Sequence, residues 1–157
     1  MGIIHPSIHK MWAAFCLANR EYKEREAPNS FYFCDNQPDA DQCAELVVKE
    51  IKQATAASLW SYEHADEVIP QNGDLFIVTN WAGEAKAIIR TSKIEQVPYH
   101  HISAEFARIE GEGDKSLEYW RKVHWDYFSR EMKPHQLEPS QNMIIVCEHF
   151  ETLWPKI

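Results

Sequence analysis

The stretch Lys49 to Tyr62, KEIKQATAASLWSY, joins two patterns that cannot share one backbone conformation. Upstream, Ala40, Cys43, Ala44, Val47, Val48 and Ile51 recur at helical spacing, one apolar stripe of a helix between Asn36 and Ile51 with Pro38 and Asp39 in its first turn. Downstream, Thr55 to Trp60 reads as a strand. Lys52 and Thr55 stand three residues apart at the junction. In a single extended strand they would point to opposite faces. Where a helix unwinds into a strand they can turn into one concavity, beside backbone groups that neither element pairs. The plainer alternative makes Lys52 a solvated last-turn lysine opposing the helix dipole, and Thr55 a β-branched strand starter.

The flanking segments supply a mixed set of elements. Ile8, Met11, Trp12, Phe15 and Cys16 predict an amphipathic helix over Pro6 to Asn19, followed by a charged connection from Arg20 to Ser30 and a short extended run at Phe31-Tyr32-Phe33. Ser61 to Asn72 reads as a polar connection closed by the Asn72-Gly73 turn signal. Leu75 to Thr79 and Ala85 to Val97 then form a hairpin across Asn80 to Gly83. Ser103 caps a short helix that ends before Gly111 and Gly113, and Ser116 caps a longer one that turns Leu117, Trp120, Val123, Tyr127 and Phe128 inward. After a loop at Pro134 to Pro139, Met143 to Cys147 predicts a buried strand reaching toward Leu153. Strands interrupted by helices without regular βαβ alternation point to an α+β architecture. The 157 residues fit one domain, 1–157, with enough chain to bury a core.

Charge narrows the partners. The formal net charge is −8, and the lysines and arginines at 20–25 and 121–122 are interleaved with glutamates, as on a solvated helix face. A protein that grips long nucleic acid normally presents a basic face. Double-stranded DNA is therefore not expected as a partner, and a small or neutral ligand is favoured over a long polyanion. No apolar run approaches the roughly 18 residues of a membrane span, and the N-terminus MGIIHPSIHK lacks the basic start and long apolar segment of a secretory signal. A cytoplasmic location is the expectation. The four cysteines, Cys16, Cys34, Cys43 and Cys147, show no C-x-x-C spacing, the histidines form no H-E-x-x-H, and adjacent His100 and His101 would face apart in regular structure. Buried thiols are expected, with no metal and no cofactor.

Several blocks carry a resemblance. Ile51 to Ala56, read with Phe31-Tyr32-Phe33-Cys34-Asp35-Asn36, is similar to the G-x-K-x-x-T signature of ASCH-domain proteins, a PUA-like family. Gly73-Asp74-Leu75, Glu110 to Asp114 before Ser116 to Arg121, and Val146 to Phe150 resemble further blocks of the longer bacterial members, in the same order. Two positions depart from the pattern: Glu50 and Cys34 stand where the family has glycine.

The resemblance implies a PUA-like β-barrel with helices packed around it and over its mouth, a common place for a small ligand. It also implies amide hydrolysis of a modified pyrimidine nucleoside such as N4-acetylcytidine, with Lys52, Thr55 and Glu110 as catalytic residues. In that scheme a desolvated Lys52 of lowered pKa takes a proton from Thr55 or water, the oxygen attacks the carbonyl, and Glu110 relays the proton to the leaving amine. Glu112 competes for that role or contacts substrate, and Trp60, with Tyr62 and Trp81, offers aromatic surface for a base. The alternative is a single-stranded ribonuclease using Lys52 on a phosphate oxygen and the hydroxyl of Ser140, or a short-RNA or nucleotide-binding module without catalysis. Ser140 also reads as a turn residue after Pro139, and the two glutamates as loop carboxylates near a helix N-terminus. Oligomeric state is not legible in these residues.

Overall fold

The computed structural model describes residues 3–156. Helix α1, Pro6–Ala18, starts with its proline in the first turn and buries Ile8, Trp12 and Phe15. Strand β1 is only Ser30–Phe31, and α2, Gln37–Val48, is capped by Asn36 accepting from the Asp39 N–H. Then come β2, Ala54–Ser58, and α3, Leu59–Ala65. The hairpin of β3, Leu75–Thr79, and β4, Ala85–Pro98, leads to α4, Ala104–Glu110, and α5, Leu117–Met132, capped by Ser103 and Ser116 as their spacing predicted. The last strand is β5, Ile144–Trp154.

The strands form one sheet in the order β1-β3-β4-β5-β2, with β1 parallel to β3 and the other pairs antiparallel. Long β4 and β5 are its spine. Bulges where β4 meets β5, near Ile88 and between Thr91 and Lys93, bend them. The α+β reading holds, but the closed barrel is not completed by hydrogen bonds: among the described residues no ladder joins the edge strands β1 and β2. One apolar cluster gathers Phe106, Trp120, Phe128 and Ile145 under α4 and α5; another sets Phe33 and Val47 against Ile89 and Phe150.

Some boundaries depart from the sequence expectation. The strand expected through Trp60 ends at Ser58, whose hydroxyl accepts from the Ser61 N–H and starts α3 instead, so Trp60 and the first residues of the expected polar connection are helical. Local capping chemistry outweighed the β-tendency of the following residues. Ile51 lies beyond α2 and is exposed, and the rings of His100 and His101 lie 4.1 Å apart in a 3₁₀ turn rather than facing apart.

Helix α2 ends in a left-handed C-cap. The Ile51 N–H donates to the Leu46 carbonyl at 2.9 Å and the Glu50 N–H to Val47 at 3.0 Å, with Glu50 at φ +60°. Cys34 has φ +69°. Both positions where the resemblance called for glycine are thus ones whose backbone favours glycine, and this chain bears the left-handed conformation on side-chain-bearing residues. Gly111, at φ +75°, is required on a further count: a Cβ there would lie 2.3 Å from the Ile51 carbonyl oxygen. That close approach lets the end of α4 lie on the segment carrying Lys52, where the Gln53 N–H donates to the Ile109 carbonyl.

Glu50→Gly should stabilise the protein by about 0.5–1 kcal/mol by relieving the left-handed conformation, and Gly111→Ala should destabilise it by more than about 1 kcal/mol. Urea denaturation of the two variants beside the parent chain measures both.

Candidate functional site

The C-cap of α2 turns the chain so that Lys52 enters the interior rather than solvent, and its side chain is 1% exposed. Its ammonium donates to the Ala54 carbonyl at 2.8 Å and to Glu112 Oε2 at 2.9 Å, lies 3.4 Å from Glu110 Oε2, and sits 5.0 Å from the centre of the Phe33 ring. The reading of Lys52 as a solvated last-turn lysine is overturned. So is its lowered pKa: burial works against the charged form, but Glu112 and Glu110 outweigh it and raise the pKa above the ordinary lysine value. Lys52 is a fixed cation.

The two glutamates differ in environment. Glu110 is 1% exposed and accepts from the Trp120 indole N–H at 2.9 Å, while His124 Nε2 stands 3.2 Å from the same oxygen. His124 Nδ1 donates to the Trp120 carbonyl, which can only accept, so a second proton on Nε2 toward an ionised Glu110 makes the ring an imidazolium. Burial alone would raise the Glu110 pKa, but His124 and Lys52 bring it well below the usual carboxylate range. Burial would likewise lower His124, yet Glu110 raises it overall. Glu112 reaches the surface, 19% exposed, and its pKa is raised by burial and by adjacent Glu110 despite Lys52. The two neighbouring carboxylates are thus pushed in opposite directions, Glu110 down and Glu112 up.

These groups line a cleft of about 1320 Å³ bounded by the segment before α2, β2, α3 and the α4–α5 loop. Thr55 lines it too, so the junction does turn Lys52 and Thr55 into one concavity, although among the described residues no hydrogen bond joins them directly. Thr55 pairs across the sheet with Glu148, a nearly buried cleft residue that accepts from Thr91 Oγ1 at 2.6 Å. Trp60 and Tyr62 reach the cleft from α3, and the Trp60 ring is stacked by His64 at 4.9 Å. Trp81 does not; it packs on Tyr32, which does. Ser140 is exposed, lies outside the cleft lining, and holds a turn through its carbonyl, which accepts from the Met143 N–H. The cationic side chains of the lining, Lys52, Arg130 and the His124 imidazolium, are each paired with a carboxylate, Arg130 with Asp35 at 2.8 Å.

Sequence reasoning missed His124, Trp120 and Glu148. The first two were within reach, four residues apart on one face of a predicted helix. Glu148 depends on strand register, which no local pattern supplies.

The ion cluster carries a pH signature. The depressed Glu110 contributes stability that is present above the unfolded glutamate pKa and lost as pH falls through its lower folded value; the raised His124 contributes stability present below the unfolded histidine pKa and lost as pH rises through its folded value. Glu110→Gln should remove both, flattening stability against pH, and should cost about 3–5 kcal/mol at neutral pH by leaving buried cations short of a partner. Denaturant titrations across a pH series provide the check.

The comparisons agree with this architecture. The ASCH domain family model matches residues 29–153. The chain is similar to an ASCH domain from Lactobacillus crispatus JV V101, at 32% identity over 95% of each chain with a TM-score of 0.87. It is also similar to a protein from Enterococcus faecalis V583, at 30% identity over 94% of this chain and 88% of that one with a TM-score of 0.83. No curated protein matches. No helix among the described residues is long and apolar enough to cross a membrane. With its α+β sheet, its left-handed turns at the two glycine positions and a family match across most of its length, the chain belongs to the ASCH domain family, of PUA-like fold.

Proposed function

We propose that the cleft hydrolyses the exocyclic amide of an N4-acylated cytidine, such as N4-acetylcytidine. The observation that carries this reading is the wall on which a permanently charged lysine stands between an ionised, buried glutamate and a cleft-facing glutamate of raised pKa. An amide hydrolase needs a fixed positive charge where the carbonyl oxygen becomes an oxyanion, and a group that both takes and returns a proton.

Lys52 supplies the charge and is not a base. As Thr55 Oγ1 adds to the acyl carbon, its proton passes to the Glu112 carboxylate and the carbonyl oxygen charges toward the Lys52 ammonium. Glu112 then returns that proton to N4 as the C–N4 bond breaks, releasing cytidine and leaving the acyl group as an ester on Thr55. Water adds to the ester, losing a proton to Glu112, which passes it to the departing threonine oxygen; the acid leaves and both groups are restored. The proton-carrying role thus moves from Glu110, the sequence expectation, to Glu112. Glu110 becomes a positioning residue that holds Lys52 from behind. Trp60 and Tyr62 offer aromatic surface to the base.

The charge pattern favours this over the ribonuclease or RNA-binding reading. The cations of the cleft lining, Lys52, Arg130 and the His124 imidazolium, are all committed to carboxylates, which leaves no basic track for a phosphodiester chain, and Ser140 lies outside the cleft lining.

Cytidine release from N4-acetylcytidine, followed chromatographically beside cleavage of a labelled single-stranded RNA, tests the proposal. Lys52→Ala should lower kcat/KM by about 10²–10³-fold. Thr55→Ala should abolish turnover, and Ser140→Ala should leave it unchanged. The carboxylate form of Glu112 begins the reaction, so kcat/KM should rise with pH through a value above that of an ordinary glutamate, and Glu112→Gln should lose both the activity and that limb. RNA cleavage without cytidine release would sink the reading, and turnover that survives Thr55→Ala would remove threonine as nucleophile.

A further inference from the structure

Beside the ion cluster lies a pair of thiols that the hydrolytic scheme does not use. Cys34 Sγ and Cys43 Sγ are 3.7 Å apart, and Cys43 Sγ is 3.3 Å from Glu112 Oε1, the oxygen that does not face Lys52. All three donor atoms lie within 4.8 Å of one another, and all three residues line the cleft. Both cysteines are free thiols.

We propose that Cys34, Cys43 and Glu112 form a binding site for a thiophilic divalent cation of the Zn²⁺ type, with the fourth coordination position left to water or to a cleft ligand. The spacing fits such an ion. Two thiolates bound tetrahedrally at about 2.3 Å stand about 3.8 Å apart, and a thiolate and a carboxylate oxygen about 3.6 Å apart. A disulfide would need the sulfurs at about 2.05 Å. Two of the three donor–donor edges therefore match a zinc tetrahedron to within a few tenths of an ångström, and the third, Cys34 to Glu112, lies within 4.8 Å.

Charge also permits it. Lys52 stands beside Glu112 and would repel an added cation. Binding, however, exchanges the two thiol protons for one dication: Zn²⁺ enters, two S–H bonds become two Zn–S bonds, and two protons leave to solvent. The net charge of the wall is unchanged, so Lys52 opposes the metal no more than it opposed those protons. The carboxylate of Glu112 bridges the two systems, one oxygen on Lys52 and the other toward the thiols. The backbone gives the site a chain-specific origin as well. Cys34 holds a left-handed position, φ +69°, that glycine would occupy more easily.

The test uses the full chain, reduced and stripped with a chelator, then titrated with Co²⁺ as a spectroscopic stand-in and with Zn²⁺ as competitor. The expected result is a thiolate-to-cobalt charge-transfer band that saturates at one equivalent and is bleached by Zn²⁺. Cys43→Ser and Cys34→Gly should lose the band, while Cys16→Ser and Cys147→Ser should keep it. Cys34→Gly is the decisive variant, since glycine suits that backbone and the protein should gain thermal stability as it loses the metal. No band in the parent chain, or one that persists in Cys34→Gly, overturns the proposal.

Discussion

A lysine with 1% of its side chain exposed is a charge that the interior must neutralise, and the architecture around the cleft follows from how this is done. Desolvating an ammonium costs several kcal/mol unless well-placed opposite charges and hydrogen bonds offset it. Here the offset comes from two glutamates a single residue apart, on either side of Gly111. Glu110 is itself buried and needs the Trp120 indole and the His124 ring, which fixes α5 relative to α4. The glycine between the glutamates must come against the Ile51 carbonyl, which fixes α4 on the segment after α2. Removing a charged member leaves another buried charge short of a partner, so the site and the packing around it are one system.

The arrangement also separates two carboxylates that the sequence leaves equivalent. Their neighbours differ: one faces a histidine and an indole inside the protein, the other faces a cleft and a pair of thiols. The first is held ionised and the second pushed toward protonation. Lys52, which faces both, is held in its charged form. The raised lysine pKa shows that burial alone does not decide the charge, because two nearby anions outweigh the desolvation that would otherwise discharge the group.

Much of the fold was legible locally. The caps Ser103 and Ser116, the helix after Asn36, the hairpin between Leu75 and Val97, and the buried run from Met143 all stand where the residue pattern puts them. The failures share a cause. Trp60 is helical because the Ser58 hydroxyl caps a turn within an otherwise strand-like sequence. Ser140 takes the turn reading of its two, because the following strand begins only at Ile144 and meets the cleft farther along, at Glu148. Glu50 and Cys34 did not remove the left-handed turns, each at a cost of about 1–2 kcal/mol, and at Glu50 the hydrogen bonds of the α2 cap hold the conformation.

The sequence by itself determined the elements, the acidic balance, the family blocks in their order and the nearness of Lys52 to Thr55, because caps, periodicity and short spacings act over a few residues. Tertiary structure alone decided which face Lys52 turns to, which glutamate is buried, and that Cys34, Cys43 and Glu112 come together. Those contacts join residues 9 to 69 positions apart. They exist only once helix ends, strand register and a glycine-enabled close approach have brought the segments within a few ångströms, and the charges and pKa values follow from that proximity.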